Sequence, residues 1–110
     1  MILFRAFLIS LWLILAVYTG FVIAHHGMGL LPIFFGDIGS ITWPGQFNLD
    51  FFFMLLISGL WTAWRNQFSS LGLTLGFIAV IGGAGFLLPY LLYLSVHEKG
   101  DIRTVLIGDR

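Results

Sequence analysis

The sequence has no cysteine at any of its 110 positions. This absence excludes disulfide bonds, thiolate metal sites, cysteine-ligated iron–sulfur clusters and a cysteine nucleophile. It leaves the redox compartment open, because disulfide usage is the feature that would reveal it.

Charged residues are also scarce. They make up 9% of the chain, whereas a soluble domain averages roughly 25%. The five basic and five acidic residues cancel to a formal net charge of zero. Proteins that bind nucleic acid normally show a basic patch, so we expect no nucleic-acid partner. With 59% hydrophobic residues, the composition predicts one integral membrane domain over residues 1–110, with the lipid bilayer as its first partner.

Residue sets that carry out catalysis are missing as well. The sequence shows no serine–histidine–acid pattern and no paired carboxylates. The glycine-rich stretch 82–85 lies inside an apolar run and no lysine follows it, which excludes a phosphate-binding loop. We therefore predict that the chain is not an enzyme, and we assign no catalytic residue.

Three long apolar runs predict an all-α fold with three transmembrane helices and an interfacial loop. The helices are expected over about residues 2–24, 49–65 and 71–96. The third run is uncharged over about 25 residues, and a helix needs about 20 to cross a bilayer. Pro89 is expected to kink this helix, because proline cannot donate a hydrogen bond to the carbonyl of Gly85.

The first run could instead be a cleaved signal peptide. The apolar core of such a peptide is about 7–15 residues long and ends in small residues of the A-x-A type. This run is longer and ends in Ala24, His25 and His26. We therefore expect a retained membrane helix.

The stretch 25–48 is too rich in glycine and proline to be one helix, yet it is very apolar. We expect an interfacial loop, with a short amphipathic helix or turn near Leu31–Phe35 and Trp43 at headgroup depth. A polar tail, 97–110, follows the third helix. Its segment Ile102–Ile107 is expected to form a short strand or to pack on a partner.

The second helix is expected to begin with Asn48 as its N-cap and Asp50 in its first turn. There Asp50 would stabilise the positive end of the helix dipole. An ionisable group inside a membrane is otherwise a candidate functional group. In that second interpretation, Asp50 would line the pore of an oligomeric transporter.

Small residues at helical spacing predict surfaces for close helix packing, because they let backbones approach one another. In the third helix they share one face, and in the first they recur every four residues. The predicted packing residues are Gly72, Gly76, Ala79, Gly83, Gly20, Ser58 and Gly59. We expect the other membrane segments of the chain to pack on the third helix, and the chain as a whole to pack against other membrane subunits or a second copy of itself.

Histidine and carboxylate side chains are expected at one membrane face and could together bind a metal or sense pH. The metal candidates are His25, His26 and His97, beside Asp37, Asp50 and Glu98. Neither H-x-x-x-H nor H-E-x-x-H spacing is present. We therefore expect no metal site, and the histidines also fit a simpler role as markers of helix ends. Ligation of haem or chlorophyll is disfavoured, because these histidines lie at or beyond the ends of the spans.

Aromatic residues are frequent, with 12 phenylalanines, four tryptophans and three tyrosines. They could line a slot for a quinone, a carotenoid or a lipid. The candidates for such a site are Phe52, Phe77, Phe86 and Tyr90, with Phe51 and Phe53 beside them. The alternative is that these rings face lipid or a neighbouring helix.

Three crossings would put the N-terminus and the tail on opposite sides of the membrane. Lysine and arginine are divided almost evenly between those sides, so the positive-inside count alone does not decide the orientation. Arg5 precedes the first helix, and the long loop contains no lysine or arginine. These two features favour a cytoplasmic N-terminus and an outside tail.

Several motifs carry a resemblance to a known group of proteins. They are Gly36–Ile38, Thr42–Asp50, the Trp61-x-x-Trp64-Arg65 pattern and Leu87–Leu94. Together they resemble a family of small bacterial inner-membrane proteins with a domain of unknown function, over most of the chain. The resemblance implies a bacterial inner membrane and a helical hairpin plus one helix. It implies no catalytic residue.

These features lead to one expected function and two alternatives. The first is a non-catalytic accessory subunit of a larger membrane complex, respiratory or photosynthetic. The second is a binder of a lipophilic cofactor, quinone or carotenoid. The third is a small oligomeric transporter.

Overall fold

The computed structural model describes residues 1–108, and Asp109 and Arg110 of the predicted tail lie outside them. The elements are α1 (Ile2–His26), α2 (Leu30–Gly39), α3 (Trp43–Arg65), α4 (Ser70–Gly82), α5 (Ala84–His97) and α6 (Ile102–Ile107). No strand occurs in this part of the chain, which confirms the all-α prediction. Two helices, α1 and α3, are long and apolar enough to cross a membrane. They indicate a membrane protein.

Helix α1 runs along α5 in the opposite direction. The Arg5 side chain binds Ser95 near the end of α5, while Trp12 binds Gly85 at its beginning. Ser10, a polar residue within the apolar run, donates its hydroxyl hydrogen to the Ala6 carbonyl. Since this bond satisfies the hydroxyl locally, Ser10 is compatible with a membrane helix. Leu8 is the one residue of α1 that is buried.

Helix α3 begins six residues before its predicted start. Its N-cap is Thr42, whose hydroxyl accepts a hydrogen bond from the Gly45 amide, and Pro44 occupies the first turn. The prediction that Asn48 caps this helix is therefore wrong. Asn48 instead donates its side-chain amide to the Phe34 carbonyl at 3.1 Å, which ties α3 to α2.

The predicted loop 25–48 contains a complete helix, α2, which is longer than the Leu31–Phe35 segment expected from the sequence. It packs on the first half of α3. Gly45 allows this close approach, because a Cβ atom there would collide with the carbonyl group of Asp37. Phe52 completes an aromatic cluster with Phe34 and Phe35, with ring centroids 6.1–6.3 Å from its own.

The predicted third helix, 71–96, is not continuous. Gly83 adopts φ +54°, a left-handed conformation that interrupts the helix and that glycine adopts without strain. The chain then turns back. Tyr90 of α5 accepts a hydrogen bond from Asn66, which caps the end of α3 and lies four residues before the start of α4. Helices α4 and α5 are therefore the two legs of a hairpin. At 13 and 14 residues they are each about 20 Å long, short of the roughly 30 Å core of a bilayer.

Pro89 lies inside α5 without ending it. As expected, proline leaves the Gly85 carbonyl without its helical donor. The indole nitrogen of Trp12 donates to that oxygen at 3.2 Å. The prediction of a kinked but continuous helix is wrong because the break lies at Gly83 rather than at the proline.

Helix α6 packs beside the end of α3, and the prediction of a strand over Ile102–Ile107 is wrong. Val105 is buried against Tyr90 and Leu94 of α5. The indole of Trp61 donates to the Leu106 carbonyl at 2.8 Å. The tail is thus part of the folded chain.

Candidate functional site

The predicted glycine stripe of α4 packs against α3 of the same chain. A Cβ atom on Gly59 would lie 2.9 Å from the Gly76 carbonyl oxygen, and one on Gly76 would lie 2.8 Å from that of Gly59. Gly72 approaches Ala63 and Asn66 in the same way, and Ala79 is fully buried. This surface therefore holds the two helices together, and another subunit cannot use it without displacing α3.

The remaining predicted packing residues lie elsewhere. Gly83 forms the hairpin turn, with space bounded by the side chains of Leu55 and Phe51. The hydroxyl oxygen of Ser58 is buried and has no hydrogen-bond partner among residues 1–108. Gly20 has open space around it, on a part of α1 that no other helix covers.

The Arg65 side chain, at the end of α3, donates three hydrogen bonds. It is 7% exposed, and its guanidinium donates to the carbonyls of Val105 at 2.6 Å and Thr104 at 2.9 Å. A weaker ion pair joins it to Glu98 at 3.4 Å. The positive charge thus stabilises the C-terminal carbonyls of α6. From the sequence, Arg65 was notable only as part of the Trp61-x-x-Trp64-Arg65 pattern, which does not predict this role.

Arg5, Arg65, Ser95, Glu98 and α6 meet at one end of the molecule, which we call the polar end. Lys99 follows Glu98 directly, and Arg103 belongs to α6. All four lysine and arginine residues within 1–108 therefore lie at this end. A three-span arrangement would have put the tail opposite the N-terminus, but the hairpin brings both to the same end.

Asp101 is the N-cap residue of α6. The Thr104 hydroxyl donates a hydrogen bond of 2.7 Å to its carboxylate. This bond favours the charged form and lowers the pKa of Asp101 below its ordinary value. The charged carboxylate is also favourable at the N-terminus of α6.

A cleft of about 480 Å³ opens between the hairpin legs and the end of α3. Leu71, Leu75 and Leu94 contribute apolar walls, while Gln67 and His97 contribute polar groups. The cleft is therefore amphipathic. Of the predicted cofactor residues, Tyr90 lines it.

The other predicted cofactor residues are not gathered around this cleft. Phe86 stacks on Tyr90 with ring centroids 5.2 Å apart, outside the lining. Phe77 is 67% exposed on α4, and Phe52 belongs to the cluster with α2. The structure therefore brings two of the four together and does not form one slot from all of them.

The histidines do not share one membrane face as expected. His25 and His26 end α1, about 30 Å along that helix from Arg5. His97 lies at the polar end, where its ring stacks on Tyr93 at 5.4 Å. Among the described residues no three His, Cys, Asp or Glu side chains form a group that could bind a metal.

Asp50 lies on the face of α3 that points away from α2 and α4. It is exposed, and its neighbours on that face, Phe47, Met54 and Ile57, are each more than 60% exposed. Its carboxylate has no hydrogen-bond or ion-pair partner within residues 1–108. Because α3 begins at Trp43, Asp50 is two turns into the helix, and the expected role in the first turn is wrong.

The position of Asp50 along α3 can be compared with the length of α1. The uncharged part of α1, Ala6–Ala24, is about 28 Å long, close to the thickness of a bilayer core. Asp50 lies about 22 Å from Arg65 along α3, which is about 6 Å less than the length of that uncharged part. A charge within a membrane helix is costly, most of all at the centre of the bilayer.

Comparisons with protein-family models, with curated proteins and with solved structures found no match to this chain.

Proposed function

We propose that the chain crosses a bacterial inner membrane twice, through α1 and α3, and that the α4–α5 hairpin enters and leaves on one side. Neither leg of the hairpin is long enough to cross alone. In this arrangement the N-terminus and α6 share a side, instead of being separated by a third span. Backbone polar groups inside a membrane must be satisfied within the protein, and the helical hydrogen bonds of α4 and α5 do this. Helix α4 packs on α3 and helix α5 on α1.

The polar end is the cytoplasmic one in this proposal. Cytoplasmic segments of membrane proteins carry an excess of lysine and arginine. Here Arg5, Arg65, Lys99 and Arg103 are all at one end, whereas α2 and the loops beside it have none. The N-terminus therefore lies in the cytoplasm, as the sequence indicated, and the tail lies there too.

We further propose that the protein is a non-catalytic accessory subunit of a larger membrane complex, respiratory or photosynthetic. The observation that carries the proposal is the outward position of Asp50 in the spanning helix α3. A carboxylate is costly there unless protein covers it. The open stripe of Ala16, Gly20 and Ala24 on α1 adds a second surface where a helix could approach closely.

Purification from native membranes in a mild detergent tests this function. We expect the tagged chain to elute in an assembly several times its own mass of 12.3 kDa, with other membrane proteins in fixed proportion. The identity of those proteins would assign the complex. Elution of the chain alone, after chemical cross-linking in the membrane, would contradict the proposal.

The cleft at the polar end supports a second candidate, the binding of a quinone, carotenoid or other lipid. Its apolar walls could hold a hydrophobic tail, with a polar headgroup beside Gln67 and His97. The same purification tests it, through the absorption spectrum and solvent extraction of the eluted protein. A colourless preparation without extractable quinone would exclude those two cofactors.

A further inference from the structure

The face of α3 that carries Asp50 is apolar apart from this carboxylate. We call it the Asp50 face and define it by Phe47, Asp50, Phe53, Met54 and Ile57. Its apolar members are 54–67% exposed. The contacts of α3 with α2 and α4 use other positions, among them Gly45, Asn48 and Gly59. No helix of this chain therefore covers the Asp50 face within the described residues.

Contact with lipid alone is unfavourable for this face because of the Asp50 carboxylate. Phe47, Met54 and Ile57 suit lipid tails, but in the proposed arrangement Asp50 lies about 6 Å inside the boundary of the hydrocarbon core. Acidic side chains within membrane segments normally face a protein interior or a water-filled cavity, and they pair with other groups. Asp50 also has a short side chain, which cannot reach the headgroups as a lysine or arginine could.

The charges of the chain indicate what kind of protein covers the face. The four lysine and arginine residues within 1–108 are all at the polar end, on the other side of the membrane. A second copy inserted in the same orientation would bring none of them to the depth of Asp50. At equal depth it would instead bring its own Asp50, which is repulsive.

We propose that the Asp50 face docks a membrane-spanning helix of a different protein, and that this helix carries a lysine or arginine at the depth of Asp50. The inference rests on the proposed accessory function and identifies its partner surface. An ion pair of this kind fixes the orientation and register of the two helices, while the apolar side chains around it pack. It would therefore select one partner among the many helices of a membrane.

Site-specific photo-cross-linking tests the inference. Phe53 is replaced by p-benzoylphenylalanine, a similar aromatic residue on the same face, and the chain is irradiated in native membranes. We expect an adduct with one other membrane protein. Mass spectrometry of the joined peptide should place a lysine or arginine in the spanning segment next to the cross-link.

Charge variants supply the second part of the test. Asp50→Asn should lower the yield of the adduct by about tenfold or more, as expected when one partner of a buried charge pair is removed. Asp37→Asn, at the other acid near this end of the molecule, should leave the yield unchanged. A charge exchange, Asp50→Lys with the partner's basic residue replaced by aspartate, should restore it.

Each other outcome overturns the inference. An adduct of two copies of this chain, a partner segment without a basic residue, or a yield that does not depend on Asp50 would do so. If Asp50→Asn fails to fold, the peptide joined to the unmodified Asp50 face still decides the question. A partner that co-purifies regardless of Asp50 leaves the accessory function standing, whereas a chain that purifies alone contradicts both proposals.

Discussion

Arg5 and Ser95 are 90 residues apart in the sequence, yet the Arg5 guanidinium donates to both the hydroxyl and the carbonyl of Ser95, at 3.1 Å and 2.8 Å. This contact joins the start of α1 to the returning leg of the hairpin. It places the N-terminus beside the tail, and a straight third span would separate them. The Trp12–Gly85 hydrogen bond fixes the same pair of helices farther along α1.

Arg5→Ala should loosen α1 from α5. Hydrogen bonds to charged groups contribute about 1.5–3 kcal/mol, and this change removes two of them. We expect a loss near the lower end of that range, because Arg5 is partly exposed. Arg5→Lys should recover only part of it, since an ammonium cannot reproduce the fork of the guanidinium. Unfolding in a denaturing detergent, followed by tryptophan fluorescence, measures both, and equal stability of all three proteins would contradict the contact.

Gly59→Ala and Gly76→Ala should each destabilise the α3–α4 pair. The new methyl group would meet a backbone carbonyl at 2.8–2.9 Å, and overpacking of this kind costs about 1–3 kcal/mol. Gly20→Ala is the matched control, because the space around Gly20 is open. In the same unfolding assay, the Gly20→Ala control should be at least as stable as the unmodified protein. A loss for Gly20→Ala as large as for Gly76→Ala would be inconsistent with this packing.

Gly83→Ala should strain the hairpin turn. A sparsely populated backbone conformation costs of order 1–3 kcal/mol at a residue with a Cβ, and Gly83 has φ +54° and ψ −135°. Gly85→Ala, two residues away, should be tolerated, because a Cβ there meets open space. Distances between spin labels on Leu71 and Tyr93 would report the hairpin, which keeps them close. If Gly83→Ala were as stable as Gly85→Ala, the turn would have to lie elsewhere.

Arg65→Ala should release α6 from the end of α3. The change removes the guanidinium donor of the Val105 carbonyl and one of the two donors of the Thr104 carbonyl, which keeps its bond from the Gly108 amide. Each bond to a charged group contributes about 1.5–3 kcal/mol. Hydrogen exchange over Ile102–Ile107 should then become fast while that of α4 stays slow. Slow exchange of α6 in the variant would show that Trp61 and Val105 hold it without the arginine.

Features that depend only on residues close together in the chain could be predicted from the sequence. Helical spacing of Gly72, Gly76 and Ala79 identified one face of α4, and apolar length identified α1. Whether that face meets another subunit or the same chain depends on where α3 lies, which the spacing does not encode. In the structure, α3 of the same chain packs on this face of α4.

The hairpin was missed because the apolar run 71–96 has the length of a span. Its one signal was the cluster of glycines at 82, 83 and 85, halfway along, which divides the run into two halves too short to cross. Pro89 predicted a kink in this run, but α5 continues through the proline. The N-cap prediction for Asn48 is wrong because a polar side chain at this position fits two roles. It can cap a helix, or it can form a hydrogen bond to α2, as it does in the structure.

The side of the membrane on which each segment lies tests the account most directly. Because the chain has no cysteine, single cysteines can be introduced at Ile2, Met28 and Ile102, which are 80%, 80% and 49% exposed. A membrane-impermeant maleimide is then applied to intact cells and to inverted vesicles. Two crossings plus a hairpin predict that positions 2 and 102 react only in inverted vesicles and position 28 only in cells. Reaction of positions 2 and 102 from opposite sides would contradict the hairpin and restore a third crossing.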